Sequence, residues 1–145
     1  MKIEELKKKY SSILKQDAEF IDYLYESIFG YNEIKEFINK NKNFSVLEIG
    51  CGNAILINEL KLTYPNISFE AIEPFESGHN KFKKYFKSIN KINVIHQKIE
   101  DLNTNKKYDL IFSVNVFEHV ADWKKYLLKS NALLNQNGKN IILCP

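Results

Sequence analysis

Val46-Leu47-Glu48-Ile49-Gly50-Cys51-Gly52-Asn53-Ala54 is the stretch that decides how this chain folds. Ser45–Ile49 has the compact, β-type composition of a buried strand and stops at Gly50. Asn53 to Lys61 then carries Ile55, Leu56 and Leu60 at helical spacing. Strand, glycine turn and helix N-terminus in immediate succession form the place where an α/β sheet binds its ligand. Glycines at 50 and 52 let the backbone turn tightly and remove side chains that would block a ligand lying against it.

The pattern repeats downstream. Pro65 breaks the helix, and Ile67–Ile72 is a second strand. A lysine-rich helix is expected over Ser77 to Ile89, a third strand at Asn93–His96 and a fourth at Tyr108–Val114. Asp122 to Leu134 reads as a helix closed by Asn137-Gly138, a common C-terminal stop, and Asn140–Cys144 as a fifth strand. Upstream, residues 1–40 read as helices: Phe20, Ile21, Leu24 and Ile28 recur at spacings of three and four. Gly30 is expected to interrupt this pattern, with Tyr31, Ile34, Phe37 and Ile38 opening a second short helix and Asn39 to Asn43 forming a linker. Alternating strands and helices predict an α/β fold, a doubly wound and mainly parallel sheet with helices on both faces. The 145 residues are expected to form one domain, with an N-terminal helical segment over 1–40 and the sheet over 44–145.

Composition narrows the partners. Hydrophobic residues make up 44% and charged residues 27%, as in ordinary globular proteins. Net charge is +3, and every basic residue other than histidine is lysine. Without arginine, bidentate reading of guanine and phosphate is lost, so no nucleic-acid partner is expected. Cys51 and Cys144 lie far apart and form no metal-spacing motif, which favours a reducing cytoplasm and no metal site. The N-terminus lacks the apolar core of a signal peptide, and no apolar run reaches the length of a membrane span.

A glycine turn alone fits several nucleotide-type ligands, including a nicotinamide dinucleotide. Two residues argue against the dinucleotide. Its fingerprint wants Gly or Ala where Ile55 stands. Glu48 puts a carboxylate where a pyrophosphate would be repelled but an ammonium and a sulfonium would be welcome. Charge complementarity therefore favours S-adenosylmethionine.

The segment VLEIGCGNA resembles the first motif of the class I, Rossmann-like methyltransferases, with Ala54 where that superfamily most often has glycine. The resemblance spans residues 44–145 and implies a cofactor site at Glu48, Gly50, Cys51 and Gly52. Glu73, at the tip of ISFEAIE, matches the acid that binds the ribose hydroxyls, with Pro74 against the adenine. After the third strand, Lys98 and Ile99 align with the adenine contacts. Lys98 departs from the usual acid, which leaves Gln97, Glu100 and Asp101 as alternatives. YDLIFSVNVFEHVADW is similar to the fourth motif of a subgroup with an E-H-V ending, which includes ubiquinone-biosynthesis-like and other small-molecule methyltransferases. It implies that Asn115 and Val116 hold the methionine end and that His119 faces the reaction centre. Leu133–Lys139 resembles the loop before the fifth strand. The resemblance also implies two further strands that are missing here, so the chain is expected to be C-terminally truncated, with its fifth-strand edge open to self-association.

Methyl transfer from a sulfonium requires mainly that acceptor and methyl group be held in line. A hydroxyl acceptor also needs a base, a task suited to a neutral imidazole. Two roles stand for His119: general base, or a structural residue that caps the next helix or bonds nearby backbone. His79 and His96 are expected to be surface or structural. The expected function is methyl transfer to oxygen or nitrogen of a small-molecule acceptor. The alternatives are a cofactor-binding module without activity of its own and an NAD-dependent oxidoreductase.

Overall fold

The computed structural model describes residues 1–39, 43–75 and 92–144. The lysine-rich helix expected over Ser77 to Ile89, together with His79, lies outside the described residues, as do 40–42 of the expected linker. Five strands form one parallel sheet: β1 (Ser45–Ile49), β2 (Ser68–Ile72), β3 (Asn93–Ile95), β4 (Tyr108–Val114) and β5 (Leu134–Leu143), in the order β3-β2-β1-β4-β5. Each strand of the pattern read from sequence is present, and the fold is the Rossmann-like α/β class expected.

Both faces of β1 are buried because both are covered by helices, which is why its sequence is nearly all apolar. Its residues alternate between the two sides. Val46 joins Leu110 and Phe112 against α4 (Ile55–Thr63), while Leu47 and Ile49 join Ile111 against Tyr126 of α5 (Trp123–Ala132). Glu48, two residues after Val46, is buried on the α4 side.

The N-terminal helices α1 (Ile3–Lys9), α2 (Ser11–Leu14) and α3 (Phe20–Ile34) build a third cluster from Leu6, Tyr10, Ile13, Phe20 and Leu24. Ile55 of α4 completes it, fully buried. The residue that breaks the dinucleotide pattern is therefore the peg on which the N-terminal helices sit. Lys9 Nζ and Tyr10 Oη both donate to the buried Glu59 carboxylate on α4, each at 2.5 Å.

Two sequence expectations are corrected. Gly30 does not interrupt a helix: α3 runs through it to Ile34, followed by a 3-10 turn at Lys35–Phe37. A Cβ at Gly30 would stand 2.6 Å from Leu56 and 3.0 Å from Val114, so the glycine lets α3 approach α4 and β4. Nor does Asn137-Gly138 stop the helix. α5 ends at Ala132, and β5 begins at Leu134, earlier than Asn140, and ends before Cys144. The segment Leu133–Lys139 is thus mostly strand rather than loop. Tyr108 pairs with Leu134 but Leu110 pairs with Lys139, so extra residues bulge out of β5, with Asn137 at φ 67°.

Candidate functional site

The strand order reverses between β1 and β4: β1 leads outward to β2 and β3, and β4 leads the other way to β5. Loops leaving the two central strands must diverge, opening a crevice at their C-terminal ends. Two cavities occupy it, of about 540 and 360 Å3. They share Gly50, Asn115 and His119 and so form one bipartite groove.

The glycine turn forms the groove floor. The Gly50 and Cys51 N–H groups donate to the Ile72 carbonyl at 2.7 and 3.1 Å, tying the turn to the end of β2. Gly52 N–H donates to Glu73 Oε2 at 2.8 Å, and Phe75 N–H to Glu73 Oε1 at 2.9 Å. Gly50 has φ 74°, and a Cβ there would meet Val116 at 2.4 Å. Gly52 has φ 50° and faces open space. Ala54 also adopts a left-handed conformation, φ 61°, as it caps α4. That is where the superfamily pattern prefers glycine.

The larger chamber is walled by Ile49, Ile72, Ile99 and Val116 with Tyr126, and rimmed by Glu73, Pro74, Gln97 and Lys98. Asp122 caps α5 at its mouth, accepting from Lys125 N–H at 2.9 Å. The smaller chamber is lined by Glu48, Cys51 and Gly52 from the turn, and by Tyr23, Glu26 and Ser27 from α3. Glu118 and His119 stand on its far side, at the end of a 3-10 turn over Phe117–His119. Three carboxylates and no lysine face this chamber among the described residues.

Glu48 is the electrostatic centre of the site. It is 4% exposed, and its Oε2 has no hydrogen-bond partner among the described residues. Burial, and then the nearby Glu73 charge, push its carboxyl up to about 8, against the pull of the Ile57 backbone amide. Burial, followed by the charges of Glu48 and Glu73, raises the Cys51 thiol, so it stays protonated at neutral pH and acts as core packing.

Every residue assigned from sequence to the cofactor or catalytic site lines the groove. Glu48, Cys51 and Gly52 lie in the smaller chamber, Glu73, Pro74, Lys98, Ile99 and Val116 in the larger, and Gly50, Asn115 and His119 at the junction. His119 is exposed, and its ring makes no hydrogen bond among the described residues. Asp122, not His119, caps α5, which removes the capping role. His96 is structural: its Nδ1 lies 3.2 Å from the Glu73 carbonyl, joining the tips of β2 and β3. Sequence reasoning missed Glu26, Ser27, Lys125 and Tyr126. Tyr23, Glu26, Ser27 and Gly30 recur at spacings of three, one and three on α3. Polar and small residues at the inner edge of an amphipathic helix were the available signal.

A parallel sheet in this order, with an acid-x-G-x-G segment running from β1 into its turn and an acid at the tip of β2, defines the class I methyltransferase fold. The chain belongs to the methyltransferase domain family, whose model matches residues 10–144. It is 31% identical over 124 residues to the ubiquinone biosynthesis O-methyltransferase of Rickettsia prowazekii, covering 84% of this chain and 46% of that protein. It is 29% identical over 98 residues to malonyl-[acyl-carrier protein] O-methyltransferase 1 of Ilyobacter polytropus, covering 68% and 37% respectively. Among solved structures, PKMT2 of Rickettsia typhi in complex with AdoHcy superposes with a TM-score of 0.62 at 28% identity, over 68% of this chain and 20% of that one. The chain spans less than half the length of these relatives. No helix among the described residues is long and apolar enough to cross a membrane.

Proposed function

We propose that the chain binds S-adenosylmethionine along the bipartite groove and serves methyl transfer to a small-molecule acceptor. The observation that carries this reading is the buried, unpartnered Glu48 Oε2 beside a glycine turn open at Gly52. An orphaned carboxylate calls for a cation, and the cofactor brings an ammonium beside its sulfonium. Its adenosine suits the larger, apolar chamber, between Ile99 and Val116, with Pro74 at the rim. Glu73 keeps acceptor capacity for ribose hydroxyls, because a carboxylate offers about four acceptor sites and two amides fill two. Lys98 lines the chamber rim, and Gln97 next to it offers amide groups to the adenine edge. Asn115 and Gly50, at the junction, hold the methionine portion near His119.

The bound cofactor supplies a methyl group already activated on sulfur. The protein's own work is then to position the acceptor in line, exclude water and take up a proton. His119 is the imidazole at the junction that can take that proton. Similarity to proteins named as O-methyltransferases, and to one in complex with AdoHcy, supports this reading. The unpaired cysteines Cys51 and Cys144 support a cytoplasmic location.

A dinucleotide reading is opposed by the turn itself. The N–H groups of Gly50, Cys51, Gly52, Ala54 and Ile55 already have partners, so these five amides are not free to cradle a pyrophosphate. Calorimetry with S-adenosylhomocysteine and with NADH tests the proposal. Binding of S-adenosylhomocysteine alone is expected. A response to NADH alone overturns it.

A further inference from the structure

We infer that the methyl acceptor is an organic amine, delivered through the wall of the smaller chamber formed by Tyr23, Glu26, Glu118 and His119. This rests on the cofactor reading above and deepens it by naming the substrate class. Three carboxylates, Glu26, Glu48 and Glu118, face a chamber with no lysine among the described residues. Glu48, more than nine-tenths buried and with an Oε2 that has no partner among the described residues, lines the same chamber, so the chamber is built for positive charge. The cofactor's ammonium answers Glu48, and its sulfonium and carboxylate offset one another. Glu26 and Glu118, on the open side, remain for a second cation. Tyr23 adds an aromatic wall of the kind that attracts ammonium groups. Glu26 also reaches across to the β4 loop, where its Oε1 accepts from Asn115 Nδ2 at 3.4 Å, so α3 places this carboxylate beside the methionine end of the groove.

The chemistry balances without a further reactant. The acceptor arrives as an ammonium held by Glu26 and Glu118 and gives one proton to the His119 imidazole. Its freed lone pair forms the nitrogen–carbon bond to the methyl group. The carbon–sulfur bond breaks with its electron pair passing to sulfur, which becomes neutral. The product leaves as a methylated ammonium.

The test begins with calorimetry of S-adenosylhomocysteine alone, then uses the protein saturated with it. Three matched pairs are titrated: tyramine against tyrosol, cyclohexylamine against cyclohexanol, and glucosamine against glucose. At least one amine is expected to bind about tenfold tighter than its alcohol, as one cation–π contact and solvent-screened ion pairs together allow. The preference should shrink in 0.5 M salt and vanish in the Glu26→Gln, Glu118→Gln double variant, measured at saturating S-adenosylhomocysteine. Equal or tighter binding of the alcohols, no binding by any amine, or a preference that survives the double variant overturns the amine assignment alone. Failure of S-adenosylhomocysteine to bind overturns the cofactor reading, and this inference with it.

Discussion

Replacing Glu48 with Gln removes an ionisable group with little change in side-chain shape, and the buried position gives this change a distinctive pH signature. The Glu48 carboxyl is raised from 4.5 to about 8, first by burial and then by Glu73. Between those values the folded protein holds a proton that the unfolded chain releases. Stability therefore falls as pH rises from about 4.5 to about 8 and is level in this contribution above that. The wild-type protein should thus lose about 4 kcal/mol between pH 5 and pH 9 relative to the Gln variant. Comparing the two pH values cancels the fixed cost of burying an amide. Urea unfolding of both proteins at pH 5, 7 and 9 measures the change. Ligand binding gives the second half of the prediction. A cation seated against Glu48 favours its charged form, so S-adenosylhomocysteine should expel close to one proton from the wild-type protein at pH 7. Calorimetry in buffers of different ionisation enthalpy counts that proton, and the Gln variant should release none and bind more weakly. A wild-type-minus-variant stability difference that is flat from pH 5 to pH 9 would refute the reasoning.

Three other outcomes follow from the same geometry. His119→Gln should leave S-adenosylhomocysteine affinity within about twofold and lower methyl transfer by about 10²-fold or more, measured on the longest natural form of the protein that is active; lost cofactor binding with unchanged turnover at saturation would assign it a structural role. Gly50→Ala combines a φ of 74° with a Cβ placed 2.4 Å from Val116, and should cost about 3 kcal/mol in urea unfolding and abolish S-adenosylhomocysteine binding. Gly30→Ala, which improves helix propensity but drives a methyl group into Leu56, should destabilise by about 1–3 kcal/mol; a stabilised variant would show that α3 does not approach α4 as described.

The period of the apolar residues made most of the architecture legible. Tyr108–Val114 is seen as a strand with the same bounds, because a central strand covered on both faces is mostly apolar, here around Leu110, Ile111 and Phe112, with few competing readings. Gly30 and Asn137-Gly138 misled for a shared reason. Glycine signals a break when the local chain decides, but Gly30 answers to Leu56 and Val114, which lie far along the sequence, and Gly138 to the Tyr108 carbonyl. Ile55 was legible as a departure from the dinucleotide pattern. Its partners, Leu6, Tyr10, Ile13, Phe20 and Leu24, belong to helices that local spacing cannot dock onto α4.

By itself the sequence determined the alternation of strands and helices, the glycine turn, and which carboxylates stand at strand tips, since each depends on neighbours within a few residues. Only the tertiary structure decided what those carboxylates do. Reversal of strand order between β1 and β4 opened the groove, and α3 laid Tyr23 and Glu26 along a chamber whose other wall is about 90 residues away in sequence. Burial on both faces of β1 then turned Glu48 from an ordinary strand acid into one that holds its proton to about pH 8. Desolvation is set by everything packed around a group, and no reading of adjacent residues contains it.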